Sequence, residues 1–144
     1  MADHVLAELP DWEHGTAAVL CTTDAAGAPH AIPVSTALRA GPLTIVLALA
    51  GRRASLAFLR ERPAAALCVM GAGVAFTADG TAHVAAEELA GITAVRLDVE
   101  RIHDHRQPAF ALDAPVAWRW TDATAAARDA DVRAALGTLP GRRD

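Results

Sequence analysis

Residues 92–103, ITAVRLDVERIH, alternate Val95, Leu97 and Val99 with Arg96, Asp98 and Glu100. A period of two marks a strand with one dry face and one wet face. The rest of the chain is cut into similar short pieces. TAAVLCTT (16–23), HAIPVSTAL (30–38) and PLTIVLALA (42–50) are apolar runs separated by the turn-rich DAAGAP and RAGP, and they read as a β-meander. PAAALCVM (63–70) returns to strand. GVAFTADGTAHVAAEE (73–88) reads as one long strand or a tight pair, with Asp79-Gly80 as bulge or turn. PVAWRW (115–120) is a last short strand.

Helical signals are few. DHVLAEL (3–9) reads as a short helix capped by Asp3 and stopped by Pro10. RASLAFLRER (53–62) gathers Leu56, Phe58 and Leu59 away from Arg60 and Arg62, and Pro63 ends it. TDATAAARDADVRAALG predicts a C-terminal helix over about 122–137, with Asp122 as cap and Gly137 as close. The strand–helix alternation of a doubly wound fold is missing. The expected class is therefore mainly β with short α helices, as six or seven mostly antiparallel strands closed into a small barrel that hides its edges.

At 144 residues the chain fits one domain, 1–144, which buries roughly two-thirds of its unfolded surface. A net charge of -4 and a pI near 5.8 argue against a bulk electrostatic grip on nucleic acid, though not against a local basic pocket. No apolar run approaches the roughly 20 residues of a membrane helix. The N-terminus has no basic segment leading into an apolar core, so a cytoplasmic protein is expected. Cys21 and Cys68 sit in apolar runs without a CxxC partner and read as buried reduced thiols.

Three candidates for chemistry stand out. Gly51-Arg52-Arg53-Ala54-Ser55 joins a strand end to a helix start. The first free N–H groups of a helix favour an anion, arginine matches phosphate oxygens, and Ser55 can donate a hydroxyl. His103 and His105 in HDHR are two apart at a strand end, a spacing open to a metal or an axial iron site or to a plain polar surface. No metal site is assigned. Trp118 and Trp120 share one side of their strand, placed to pack against a partner subunit or to cover a cofactor ring. No GxSxG setting supports a hydrolase, and no acid–base catalytic residue is assigned.

The order of these pieces resembles the pyridoxamine 5′-phosphate oxidase-like, flavin-binding split-barrel family over roughly residues 14–103. The first hairpin carries Thr23, Asp24, Gly27, Pro29, His30, Pro33 and Val34 of the family's T-x-D-x-x-G-x-P-H-x-x-P-V stretch. The helix carries Leu59, Arg60 and Pro63 of its N-L-R-x-x-P. The resemblance implies a six-stranded antiparallel split β-barrel of Greek-key type, spanning about 16–120. It also implies a homodimer with FMN in grooves at the subunit interface. Carried over by position, Ile32, Pro33, Val34 and Ser35 would line the flavin ring, and Ala48 to Ala50 would pass beside it. Arg52, Arg53 and Ser55 would hold the phosphate, and Trp118 joins them as a cofactor-binding candidate. The implied activity is flavin-dependent oxidoreduction of a small-molecule substrate that the sequence does not name. Two departures weaken the phosphate grip. Ser55 stands where many members have Lys or Arg, and Phe58 where they have Asn. A deazaflavin (coenzyme F-420) is therefore one alternative, haem using His103 and His105 is another, and a cofactor-binding module without turnover is a third.

Overall fold

A computed structural model describes residues 4–51, 53–88 and 91–139. The strands are β1 (His4–Leu6), β2 (Ala18–Thr23), β3 (Pro29–Val34), β4 (Leu38–Gly41), β5 (Thr44–Ala50), β6 (Ala64–Gly71), β7 (Val74–Val84) and β8 (Ile92–Asp104). Helix α1 (Ala54–Glu61) follows β5, and α2 (Ala123–Gly137) follows β8. All eight strands belong to one antiparallel sheet in the order β3-β2-β6-β7-β8-β5-β4, with β1 added against β8.

Local chemistry sets the reversals. Asp24 Oδ1 accepts from the N–H groups of Ala26 and Ala28, each at 2.9 Å, and Gly27 takes a φ of 83°. This Asx-type turn joins β2 to β3. Midway along β7 the register with β8 shifts between Asp79 and Gly80. A Cβ on Gly80 would collide with the backbone carbonyl of Asp98, so the bulge needs a residue without a side chain there.

The two ends of the strand order, β3 and β4, are consecutive in sequence and joined by residues 35–37 alone. The four steps from Val34 to Leu38 span at most about 14 Å, so the sheet must curl to bring the end of β3 within that reach of β4. No ladder pairs β3 with β4 among the described residues. Instead the Thr36 hydroxyl donates to the Ala48 carbonyl and accepts from the Ala48 N–H, both at 3.0 Å.

Inside the curl lie Leu20, Ile45, Leu47, Leu67, Val69, Phe76, Val95, Leu97 and Val99. Leu56 and Leu59 of α1 join them. Trp12 leans on Phe76 with ring centroids 5.5 Å apart and donates its indole N–H to the Ala37 carbonyl at 2.9 Å. The alternation of β8 holds, because Val95, Leu97 and Val99 are buried while Arg96, Asp98 and Glu100 face out. Strand β5 is buried on both faces from Thr44 to Leu49. Its outer residues Val46 and Ala48 pack with Ala94 under Val132 and Leu136 of α2.

Several expectations need correction. The helix expected at 3–9 is absent among the described residues, and His4–Leu6 form β1 against the end of β8. A seven-residue helix alone in water is marginal, whereas the free edge of β8 offers ready-made pairing. The expected six strands are eight, partly because HAIPVSTAL splits. Its first half pairs with β2 and its end with β5, and β6, β7 and β8 separate the hairpins. Residues 115–120 form no strand. Single bonds between residues distant in sequence, from Gly73 N–H to the Leu112 carbonyl (2.9 Å) and from the Trp118 indole to the Gly15 carbonyl (2.6 Å), tie down the stretch 112–118 instead of a ladder.

Gly80→Ala is expected to lower the unfolding free energy by about 1–3 kcal/mol, because the new methyl cannot fit without parting β7 from β8. Urea unfolding of the variant reads this, and unchanged stability would contradict so close an approach.

Candidate functional site

Where β5 ends, Ala50 and Gly51 turn the chain, and Arg53 donates its backbone N–H to the Ala50 carbonyl at 2.9 Å. Arg53 is the extended N-cap of α1 (φ -67°, ψ 132°), its side chain makes no capping bond, and no acid lies in the first helical turn. The first N–H groups of a helix have no intrahelical acceptor, so this end carries open donors and partial positive charge. Ser55 is 1% exposed, and its Oγ has no hydrogen-bond partner among the described residues. Leaving a buried hydroxyl unmet costs roughly 1–3 kcal/mol. Beside the turn, the Glu88 carboxylate lies where a side chain on Gly51 would stand. Arg52 falls outside the described residues.

The other candidates divide. At the end of β3, Ile32 and Ser35 are half-buried, Pro33 is exposed and Val34 is buried. Ala50 is exposed at the end of β5, whereas Ala48 lies under α2 with both backbone groups held by Thr36. Trp118 belongs to a different place. It lines an open cavity of about 610 Å³ with Trp120, Gly15, His14 and Arg133, and none of the other candidates lines it. The two indoles meet edge to face at 5.2 Å and 86°. Gly15 holds a φ of 83°, and its bare Cα gives the Arg133 guanidinium and the Trp118 ring room to lie against it.

The outward face of β3, β2 and β6 has an unusual composition. None of the three strands contains Asp, Glu, Lys or Arg. Val19 is 41% and Met70 53% exposed there, beside the exposed Ala31 and Pro33. Cys21 and Cys68 lie diagonally across the β2–β6 ladder on the same face, both as free thiols. Burial, and secondarily the neighbouring Cys68, push the Cys21 thiol pKa up, which keeps it protonated and a poor nucleophile.

The HDHR segment is a set of paired polar contacts. His103 Nε2 lies 2.9 Å from Asp79 Oδ2, and His105 Nε2 lies 2.7 Å from the Thr77 hydroxyl. Among the described residues no group of three or more His, Cys, Asp or Glu is arranged to hold a metal. No described helix is long and apolar enough to cross a membrane. Asp104 is 3% exposed in its side chain, with His4 Nδ1 at 3.3 Å. Hydrogen bonds from the Arg106 guanidinium, helped by its backbone N–H, lower the Asp104 pKa from 3.8 to about 2.

Sequence reasoning missed Thr36, Gly15, Arg133 and Glu88. Glu88 reaches Gly51 from far along the chain, and no local pattern signals such a contact. Gly51 was visible in AGRR, but its reason, space for a carboxylate, was not.

The sequence model of the pyridoxamine 5′-phosphate oxidase family matches residues 5–120. No curated protein matches the chain in sequence. Among the solved structures that share its fold are the following three. A candidate pyridoxamine 5′-phosphate oxidase from Lactobacillus delbrueckii is 19% identical, with 60% of this chain and 83% of that one covered and a TM-score of 0.53. An F420 reductase is 11% identical, with 62% and 90% covered and a TM-score of 0.53. A heme binding protein from Mycobacterium smegmatis is 17% identical, with 62% of this chain but 48% of that one covered and a TM-score of 0.52. At such identities the likeness is one of fold.

The folded-state pKa of Asp104 is depressed, so its stabilisation is present above the ordinary carboxylate range and is lost as pH falls toward about 2. Asp104→Asn should flatten the acid limb of stability between pH about 4 and about 2. An acid limb identical to that of the parent would contradict the Arg106 contact.

Proposed function

This chain belongs to the pyridoxamine 5′-phosphate oxidase family, and on that premise we propose that it is a cytoplasmic, homodimeric oxidoreductase. Its proposed cofactor is FMN, bound in a cleft that a second copy completes. The observation that carries the reading is the open first turn of α1. That turn has no capping side chain and no acid, an exposed Arg53 stands at its start, and a buried Ser55 hydroxyl inside it lacks a partner. A phosphate fits this set of donors, since it would meet the free N–H groups, the guanidinium and the orphaned hydroxyl together. The Glu88 carboxylate beside Gly51 would swing aside, as its exposed position allows.

Ile32, Pro33, Val34 and Ser35 at the end of β3, with Ala50, would lie along the ring, while Ala48 would act through the Thr36 bridge that fixes β5. Trp118, which lines a separate cavity, is left out of this cleft. The uncharged outer face of β3, β2 and β6 supports a second copy, because apolar area without charge, rimmed by polar groups, is the anatomy of an interface core. The curled sheet with its ends bridged at Thr36 is read as a split barrel. When bound, FMN supplies hydride or electron transfer at N5, and the chain holds the phosphate, orients the ring and keeps water from one side of it. A deazaflavin would compete for the same anchor. Haem would instead need His103 or His105, each already engaged with Asp79 or Thr77.

The purified protein should be yellow, release FMN by mass, and scatter light as a dimer. A monomer that takes up neither FMN nor a deazaflavin would overturn the proposal. Arg53→Ala should weaken FMN binding by about 1.5–3 kcal/mol, roughly 10- to 150-fold. Ser55→Ala should raise the stability of the flavin-free protein while lowering FMN affinity, because it removes an unmet hydroxyl that only the ligand satisfies. Calorimetric titration and urea unfolding separate these two effects.

A further inference from the structure

We propose a second small-molecule site on the outer face of β7 and β8, built by His83 and Arg96 for a small carboxylate with an apolar body. His83 and Arg96 are direct partners in the β7–β8 ladder, and Asp98 follows two residues on along the same outward face. Asp98 Oδ2 lies 2.9 Å from His83 Nε2, and Asp98 Oδ1 accepts from Arg96 Nε at 3.0 Å. Its side chain is only 13% exposed, while His83 and Arg96 remain 49% and 40% exposed. Asp98 therefore spends both oxygens orienting two basic groups and keeps little surface for water.

Those two groups edge a cavity of about 280 Å³ whose other walls are apolar, chiefly Val46, Val84, Ala94 and the α2-terminal Leu139. No acid lines it. Glu100, the next acid on this row of β8, is taken by the Thr81 hydroxyl at 2.8 Å. Arg96 keeps the outer edge of its guanidinium, and His83 keeps Nδ1, with no partner for either among the described residues. A planar cationic fork beside an imidazole matches a carboxylate. The Val46–Ala94 floor matches hydrocarbon. The volume falls near the lower end of ligand pockets, roughly 300–1,000 Å³, which excludes a flavin and selects a small molecule. The site does not rest on the cofactor reading, because it shares no residue with the α1 terminus.

The test is a titration of the full chain with isovalerate, read by the ¹H–¹⁵N signals of the histidine rings. Isovaleramide is the uncharged control. The His83 signals should shift saturably with isovalerate and stay still with the amide. Arg96→Gln should weaken binding by about tenfold or more, as loss of a charged hydrogen bond implies. Ala85→Trp should block the mouth to a similar degree. Ala85 is exposed at the rim, so this second variant leaves the Asp98 contacts and the fold intact. Unmoved His83 signals at millimolar isovalerate, an equal response to the amide, or undiminished binding in both variants would each overturn the site.

Discussion

One hydroxyl pins the seam between β3 and β4, the three-residue link, onto β5. Residues 35–37 must carry the chain from one end of the strand order to the other, and no backbone ladder follows them across. Thr36 instead extends the β4–β5 pairing by two residues, its hydroxyl meeting both backbone groups of Ala48. Each such bond is worth about 0.5–1.5 kcal/mol net, and an unmet backbone group would cost more. The seam also fixes what lies on each side of it. Ile32 to Ser35 end β3 just before it, and β5 runs on from Ala48 to Gly51 and the start of α1. The end of β3 and the middle of β5 are thus held near each other by the three-residue link and the Thr36 contact, not by sequence proximity.

Around that seam the surface is divided by charge. The faces of β3, β2 and β6 carry no charged side chain at all, whereas the outward rows of β7 and β8 carry Asp79, His83, Arg96, Asp98, Glu100 and His103. Exposed Val19 and Met70 are costly on a lone molecule and useful on one that pairs. The open turn of α1 costs stability in the same way, through the Ser55 hydroxyl. The proposed dimer and the proposed anion each explain one of these costs. Strain and exposure concentrated where a ligand and a partner would relieve them is the expected signature of a binding site.

Much of the fold was legible in the residues. The period-two pattern of 92–103 gave β8 and its dry face, the Asp79-Gly80 pair, open as bulge or turn, is a bulge in β7, and Asp122 and Gly137 bounded α2. The failures have a common cause. Residues 3–9 have helical composition, yet β1 forms because the edge of β8 is available, which no local signal reports. HAIPVSTAL looks like a single strand because each half is apolar, and only the change of partner from β2 to β5 divides it at Ser35 to Ala37. At the site, the strand-end, helix-start grammar of Gly51 to Ser55 was readable. The cover of α2 over Ala48, the Glu88 carboxylate beside Gly51 and the separation of Trp118 from the other candidates all arise from contacts distant in sequence.

The central claim is that the first turn of α1 holds the anionic tail of a cofactor. Backbone amide NMR of the ¹⁵N-labelled protein titrated with FMN tests it at the atoms concerned. The account predicts saturable shifts of the Ala54 and Ser55 amides, the donors that point at the anion. Saturable shifts elsewhere, with those two amides unmoved, would contradict it.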